Sequence, residues 1–153
     1  MPDTLTLPFT NRTYVALAIA RGIAAGRGNA DVTATHIALG VLREGENIAV
    51  GMLHEGGVNL RHLRHDLESV LPPHGHPHFH AVELPTTESE QQLVDIASAE
   101  AAALDSQYVG CEHLLLALTR DSSTQAAHIL ARRGFTYEVA ASHLLAFYEK
   151  SRE

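Results

Sequence analysis

The chain has no tryptophan, one cysteine and few aromatics, which make up 5% of its 153 residues. A core must therefore be built from alanine, leucine, isoleucine and valine, and 45% hydrophobic residues supply enough of them. The single cysteine, Cys111, excludes an intrachain disulfide and suits a reducing cytoplasm. A basic excess is missing too. The formal net charge is −7, and nothing forms the positive face that a nucleic-acid binder carries, so no nucleic-acid partner is expected. No apolar run approaches membrane-spanning length, and "MPDTLTLPFT" does not have the form of a signal peptide, so no membrane partner is expected either. There is no "GxxxxGK[ST]" phosphate loop, no GxSxG, no HExxH and no cysteine pair. Those absences argue against an ATP-driven motor and against the common hydrolases. The chain is read as a non-enzyme that needs no cofactor.

What the chain does contain is itself, twice. "VTATHIALGVLRE" (32–44) aligns without gaps on "VGCEHLLLALTRD" (109–121), putting His36 on His113 at an offset of 77. The same offset puts Thr10 on Thr87, Ala24 on Ala101, Arg43 on Arg120, Leu53 on Leu130 and Gly57 on Gly134. A single frame held over that length marks an internal repeat. Each copy reads as four helices, and the predicted fold is all-α, with two four-helix repeats packed as one domain: repeat one 9–71, connector 72–85, repeat two 86–149. Thr10 and Thr87 have the character of N-caps, and "TESE" (87–90) fits a capping box in which Glu90 reaches back to the Thr87 amide. Val15, Ala18 and Ile19, and likewise Leu93, Ile96 and Ala97, give the first helices an apolar face. "DVTATHIALGVL" and "GCEHLLLAL" read as the buried centre of each copy. "GG" at 56–57 and Gly134 end the third helices.

The connector carries "HGHPHFH", four of the chain's eleven histidines at alternate positions: His74, His76, His78 and His80. Alternate spacing in an extended segment puts them on one side. A zinc site needs three or four converging ligands, which one edge of a strand does not offer, so weak metal binding is the most that the pattern supports. The expected role is a polar connector that charges at mildly acid pH, with Phe79 docked in the seam between repeats. His54, His62 and His65 are expected on exposed helix faces. Cys111, beside Glu112 at a helix start, is expected to be a buried small residue with a somewhat lowered pKa.

The pieces "FTNRTYVALAIA", "ATHIALGVLREGENIAVGMLHEGGVNL", "YVGCEHLLLALTRD" and "AAHILARRGFTYE" resemble the Clp N-terminal domain of ClpC, ClpA and ClpB unfoldases, nearest the ClpC type. The resemblance covers roughly residues 5–149. It implies two four-helix repeats related by a pseudo-twofold, and a module that receives substrates and adaptors. A chain that opens at methionine and closes just after the eighth helix looks like a free-standing copy. The expected partners are Clp ATPase or protease subunits, their protein substrates, and peptides. The protein would then act as an accessory, adaptor or regulator of a Clp chaperone-protease in a bacterial cytoplasm. The alternatives are a decoy for ligands aimed at the ClpC N-domain, such as cyclic peptide antibiotics, and a His-rich metal binder.

The resemblance also implies phosphorylated-arginine binding at one site per repeat, with a threonine at the first helix start and a glutamate before "H[IL]" of the second helix. A helix start accepts the phosphate, and a carboxylate the guanidinium. Repeat two has both, as Thr87 and Glu112. Repeat one has Thr10 and Arg12, with Thr35 in the glutamate position. The pairing expected from the repeats is therefore Thr87 with Glu112 and Thr10 with Thr35. On that pairing the first pocket lacks a carboxylate, and Glu88 and Glu90 repel phosphate from the second. Phosphoarginine should fit neither well, and a basic or hydrophobic peptide is the expected ligand of the second pocket. The resemblance gives His36 and His113 a structural role.

Overall fold

A computed structural model of the chain describes residues 7–75 and 86–151. They form eight helices: α1 (Asn11–Gly26), α2 (Ala34–Glu44), α3 (Ile48–Glu55), α4 (Leu60–Ser69), α5 (Glu88–Ala103), α6 (Cys111–Arg120), α7 (Gln125–Arg132) and α8 (Tyr137–Ser151). The described residues hold no strand, only an isolated bridge between Phe9 and Val109. Each helix of the second half starts 77 residues after its counterpart, as the offset predicts. The chain is all-α.

Local chemistry explains the boundaries. Thr10, Thr33, Asn47, Asn59, Thr87 and Thr124 each accept a hydrogen bond from a first-turn amide, so most helices open on a side-chain cap. Gly57 and Gly134 take left-handed φ values of 79° and 80° just beyond α3 and α7, where a Cβ would be strained. Glu90 does not complete the expected capping box. Its carboxylate turns away to Arg21 at 3.0 Å, because an ion pair across the two halves is stronger than a bond to its own helix start.

α2 and α6 are buried along almost their whole length and pack on each other at the centre. The remaining helices surround them. The packed pairs α1–α2, α2–α4, α2–α3, α3–α6, α3–α8 and α1–α6 have the counterparts α5–α6, α6–α8, α6–α7, α2–α7, α4–α7 and α2–α5. Exchanging the two halves maps this set onto itself, as a twofold relation requires. Further ties cross between the halves. Arg133 Nε donates to Asp66 at 2.8 Å, and Arg21 also reaches Thr86 at 2.9 Å.

The apolar face expected for α1 is corrected. Val15 is 48% exposed and Ala18 is exposed, and the buried stripe is Thr13, Ala16, Leu17, Ala20 and Ala24. α1 crosses α2 through small residues. A Cβ placed on Gly40 would lie 2.2 Å from the Ala16 carbonyl oxygen and 3.1 Å from the Ala20 nitrogen. The helices meet backbone to backbone there, so alanines rather than valines form the contact. Gly40→Ala is expected to force them apart and lower stability by about 1–3 kcal/mol, read as an earlier urea midpoint. The counterpart of Gly40 is already alanine, Ala117.

Candidate functional site

The start of α1 does not sit over its own half. The Val109 N–H donates to the Pro8 carbonyl at 2.8 Å, and the Thr10 N–H donates to the Val109 carbonyl at 3.1 Å. Thr13 extends the tie, its hydroxyl donating to the same carbonyl at 3.0 Å and lying 3.9 Å from Cys111 Sγ. Thr10 Oγ1 accepts from the Thr13 N–H at 3.1 Å and caps α1. At the other junction the Thr87 hydroxyl donates to the Val32 carbonyl at 3.3 Å, and Ser89 donates to Asp31 at 3.1 Å. The start of each first helix therefore rests on the residues that open the second helix of the opposite half.

This corrects the expected pairing. Thr10 and Arg12 share a junction with Cys111 and Glu112, while Thr87 shares one with Thr35. Arg12 bonds Glu44 at the end of α2, and the pocket that holds Ser89 and Gln92 also holds Asp121 just past α6. Each first helix thus begins beside the end of its own second helix, which separates Thr10 from Thr35 and Thr87 from Glu112. An offset states that two units are alike, not which end of one meets which end of the other.

At the α1–α6 junction Glu112 is 2% exposed, and its Oε2 is buried with no hydrogen-bond partner. Burial raises its carboxyl pKa, against its own N–H and the Tyr108 phenol, which lower it. The Cys111 thiol lies within electrostatic reach of Glu112, Glu44 and Arg12. Burial pushes that thiol up to about 12, the reverse of the small lowering expected from its place at a helix start. Arg12 Nη1 bonds Glu44 Oε2 at 2.7 Å and lies 3.5 Å from Glu46. Burial pushes the Glu44 carboxyl up, but bonds from Asn47, Arg12 and the Glu46 N–H outweigh it and hold the group below its ordinary value. Phe9 and Tyr14 meet edge to face at 5.3 Å beside the bridge, and Tyr14 is 59% exposed.

At the α2–α5 junction the same positions carry different side chains. Thr35 replaces Glu112, Ser89 replaces Arg12, Asp121 replaces Glu44 and Ser123 replaces Glu46. They line an open pocket of about 380 Å³ with no basic residue on its wall. Glu88 and Glu90 open α5. Composition alone shows that the two sites differ. Only the crossing of the halves shows which residues belong to each.

His36 and His113 are fully buried at equivalent places. The Thr33 N–H and the Gly110 N–H each donate to the following ring's Nδ1 at 2.9 Å. The proton must then be on Nε2, which donates to Asn29 Oδ1 at 3.2 Å and to Tyr148 Oη at 3.0 Å. Each ring works as a helix cap and a tie to a neighbouring segment. Asn29 also donates to the Pro73 carbonyl at 2.8 Å, and the Gly75 N–H donates to the Arg27 carbonyl at 2.8 Å, so residues 72–75 lie along the α1–α2 turn. His74 is exposed there. His76, His78, His80 and Phe79 lie outside the described residues. Among the described residues no three His, Cys, Asp or Glu side chains are grouped to hold a metal, and no helix is long and apolar enough to cross a membrane. His54, His62 and His65 are exposed, as expected.

The Clp repeat (R) N-terminal domain model matches residues 8–133, and the chain belongs to that family. It is 31% identical over 134 residues to the chloroplastic chaperone protein ClpC of Pisum sativum, covering 88% of this chain and 14% of the relative. It is also 31% identical over 137 residues to the negative regulator of genetic competence ClpC/MecB of Bacillus subtilis, covering 90% of this chain and 16% of that one. The chain thus spans a small part of these relatives. Among solved structures, the ClpD N-terminal domain of Arabidopsis thaliana superposes with a TM-score of 0.71 at 18% identity, covering 97% of this chain and 99% of the other. The Hsp104 N-terminal domain of Candida albicans gives 0.67 at 15%, covering 89% and 88%. These two likenesses establish the fold.

The buried imidazoles give a pH prediction. Burial lowers both pKa values from 6.5 to about 4. The unfolded chain then binds protons that the folded chain refuses, so stability is full above pH 6.5 and falls as pH drops towards 4. The loss is on the order of 3 kcal/mol per ring. Urea midpoints measured from pH 7.5 to 4 should fall, and the slope should shrink in His36→Gln and again in the double variant with His113→Gln.

Proposed function

We propose that the chain is a non-catalytic protein- and peptide-binding module that serves a Clp chaperone-protease as an accessory, adaptor or regulator. We further propose that it recognises phosphorylated arginine at one site, the α1–α6 junction. The family membership supports the first part. The observation that carries the second is the buried Glu112 carboxylate, one oxygen unpartnered, across a junction from a capped helix start bearing Arg12. A guanidinium satisfies the carboxylate in paired hydrogen bonds, and its phosphoryl group is received by the α1 start and Arg12. The first turn of α1 contains no acid to oppose it. The α2–α5 junction is proposed not to take this ligand, because Thr35 offers no charge to a guanidinium and the exposed Glu88 in the first turn of α5 opposes a phosphate. With the halves crossed, phosphoarginine is proposed to fit one junction, where the sequence reading expected it to fit neither well. His74, with His76, His78 and His80, keeps only the role of a weak metal contact, and thermal melts with and without chelator should coincide.

Calorimetry with free phosphoarginine tests the reading. One site per chain is expected, with Glu112→Gln weakening it about tenfold or more, the scale of a lost charge-assisted bond. Thr87→Ala should leave affinity unchanged. Two equivalent sites, or a site indifferent to Glu112→Gln, would contradict it.

A further inference from the structure

We infer that Arg12 and Glu44 form a latch on the α1–α6 site: the guanidinium that should receive the ligand's phosphoryl group is held by Glu44 and Glu46, and binding requires its release. This rests on the reading of that site given above. The two ends of the latch differ in freedom. The Arg12 side chain is 51% exposed, free to swing about a surface helix turn, whereas the Glu44 side chain is 8% exposed. Glu44 cannot follow Arg12, because its Oε1 already accepts from the Glu46 N–H at 3.0 Å and from Asn47 Nδ2 at 2.9 Å. Asn47 in turn donates to the Val41 carbonyl at 3.0 Å and caps α3 through Val50 N–H at 3.0 Å. The carboxylate is thus fixed to the α2–α3 turn, and the arginine is the moving part.

A dianionic phosphoryl group is the stronger partner for Arg12, since it also faces the start of α1. The latch discriminates against weaker anions, which cannot draw Arg12 from a fixed carboxylate. The other half shows what the arrangement is without the latch. Ser89, Asp121 and Ser123 stand in for Arg12, Glu44 and Glu46, and an open pocket of about 380 Å³ lies among them. The unpartnered Glu112 Oε2 is the independent sign that the latched side is built for a ligand.

The test is calorimetry of phosphoarginine and, separately, inorganic phosphate on the full chain, with melting temperature as a check. Glu44→Gln keeps an acceptor for the Glu46 N–H and Asn47 and removes the charge that holds Arg12. Binding of both ligands should tighten about threefold to fivefold at low salt, the range of an exposed ion pair, and the gain should fade at high salt. Arg12→Gln should weaken both, and adding Glu44→Gln to it should restore nothing. Should Glu44→Gln melt early, Glu46→Gln, which spares the Asn47 bonds, should give a smaller gain of the same sign. Unchanged or weaker binding in a stable Glu44→Gln or Glu46→Gln chain overturns the latch, as does a gain that survives loss of Arg12. If phosphoarginine proves indifferent to Glu112→Gln, the proposed ligand fails. The inorganic phosphate series then decides the latch by the same signs.

Discussion

The short backbone pairing of residues 8–10 with Val109 governs the rest of the molecule. It seats the beginning of α1 on the opening of α6, and at the corresponding place a side-chain bond from the Thr87 hydroxyl to the Val32 carbonyl seats α5 on α2. With both first helices seated on the opposite half, neither half owns a complete junction. The crossing closes the central α2–α6 core, and it also decides which side chains face each other. Buried leucines and isoleucines fill the core, and at one crossing close approach adds to their bulk. Gly40 lies directly against Ala16 and Ala20 at that crossing, and the ion pairs Arg21–Glu90 and Arg133–Asp66 tie the halves from outside.

Duplication kept the scaffold and released the surface. The helix starts, the positive-φ glycines after α3 and α7, and the paired imidazole caps are shared. The caps are shared because a buried ring with both nitrogens bonded has little room to change. At the junctions the backbone is equivalent and the chemistry is not. One side has Arg12, Glu44, Glu46 and a buried Glu112, and the other has hydroxyls and the single acid Asp121 around an open pocket. Divergence of this kind turns one of two equivalent positions into a charged site and leaves the other uncharged at its Glu112 counterpart.

Much of the fold was legible in the sequence, because an internal period and a set of threonine, asparagine and glycine punctuation marks encode helix starts and stops locally. The buried face of α1 was not. Val15 looks apolar at helical spacing, yet the contact with α2 selects alanine through its closeness rather than its hydrophobicity. The residues of the candidate site were visible one by one, but their grouping was not, since sequence similarity between halves carries no information about which ends meet. Glu90 and Cys111 misled for a related reason. Their local settings suggest a capping bond and a lowered thiol pKa, and a partner from the other half, or burial, overrides each.

In the proposed function, the ligand junction joins the start of α1 to the start of α6. Amide chemical-shift mapping of the labelled full chain during titration with phosphoarginine tests it most directly. Coupled shifts are expected at residues 10–13 and 108–113, with residues 32–35 and 87–90 unmoved. Shifts confined to 87–90 together with 108–113, or equal shifts at both junctions, would contradict it.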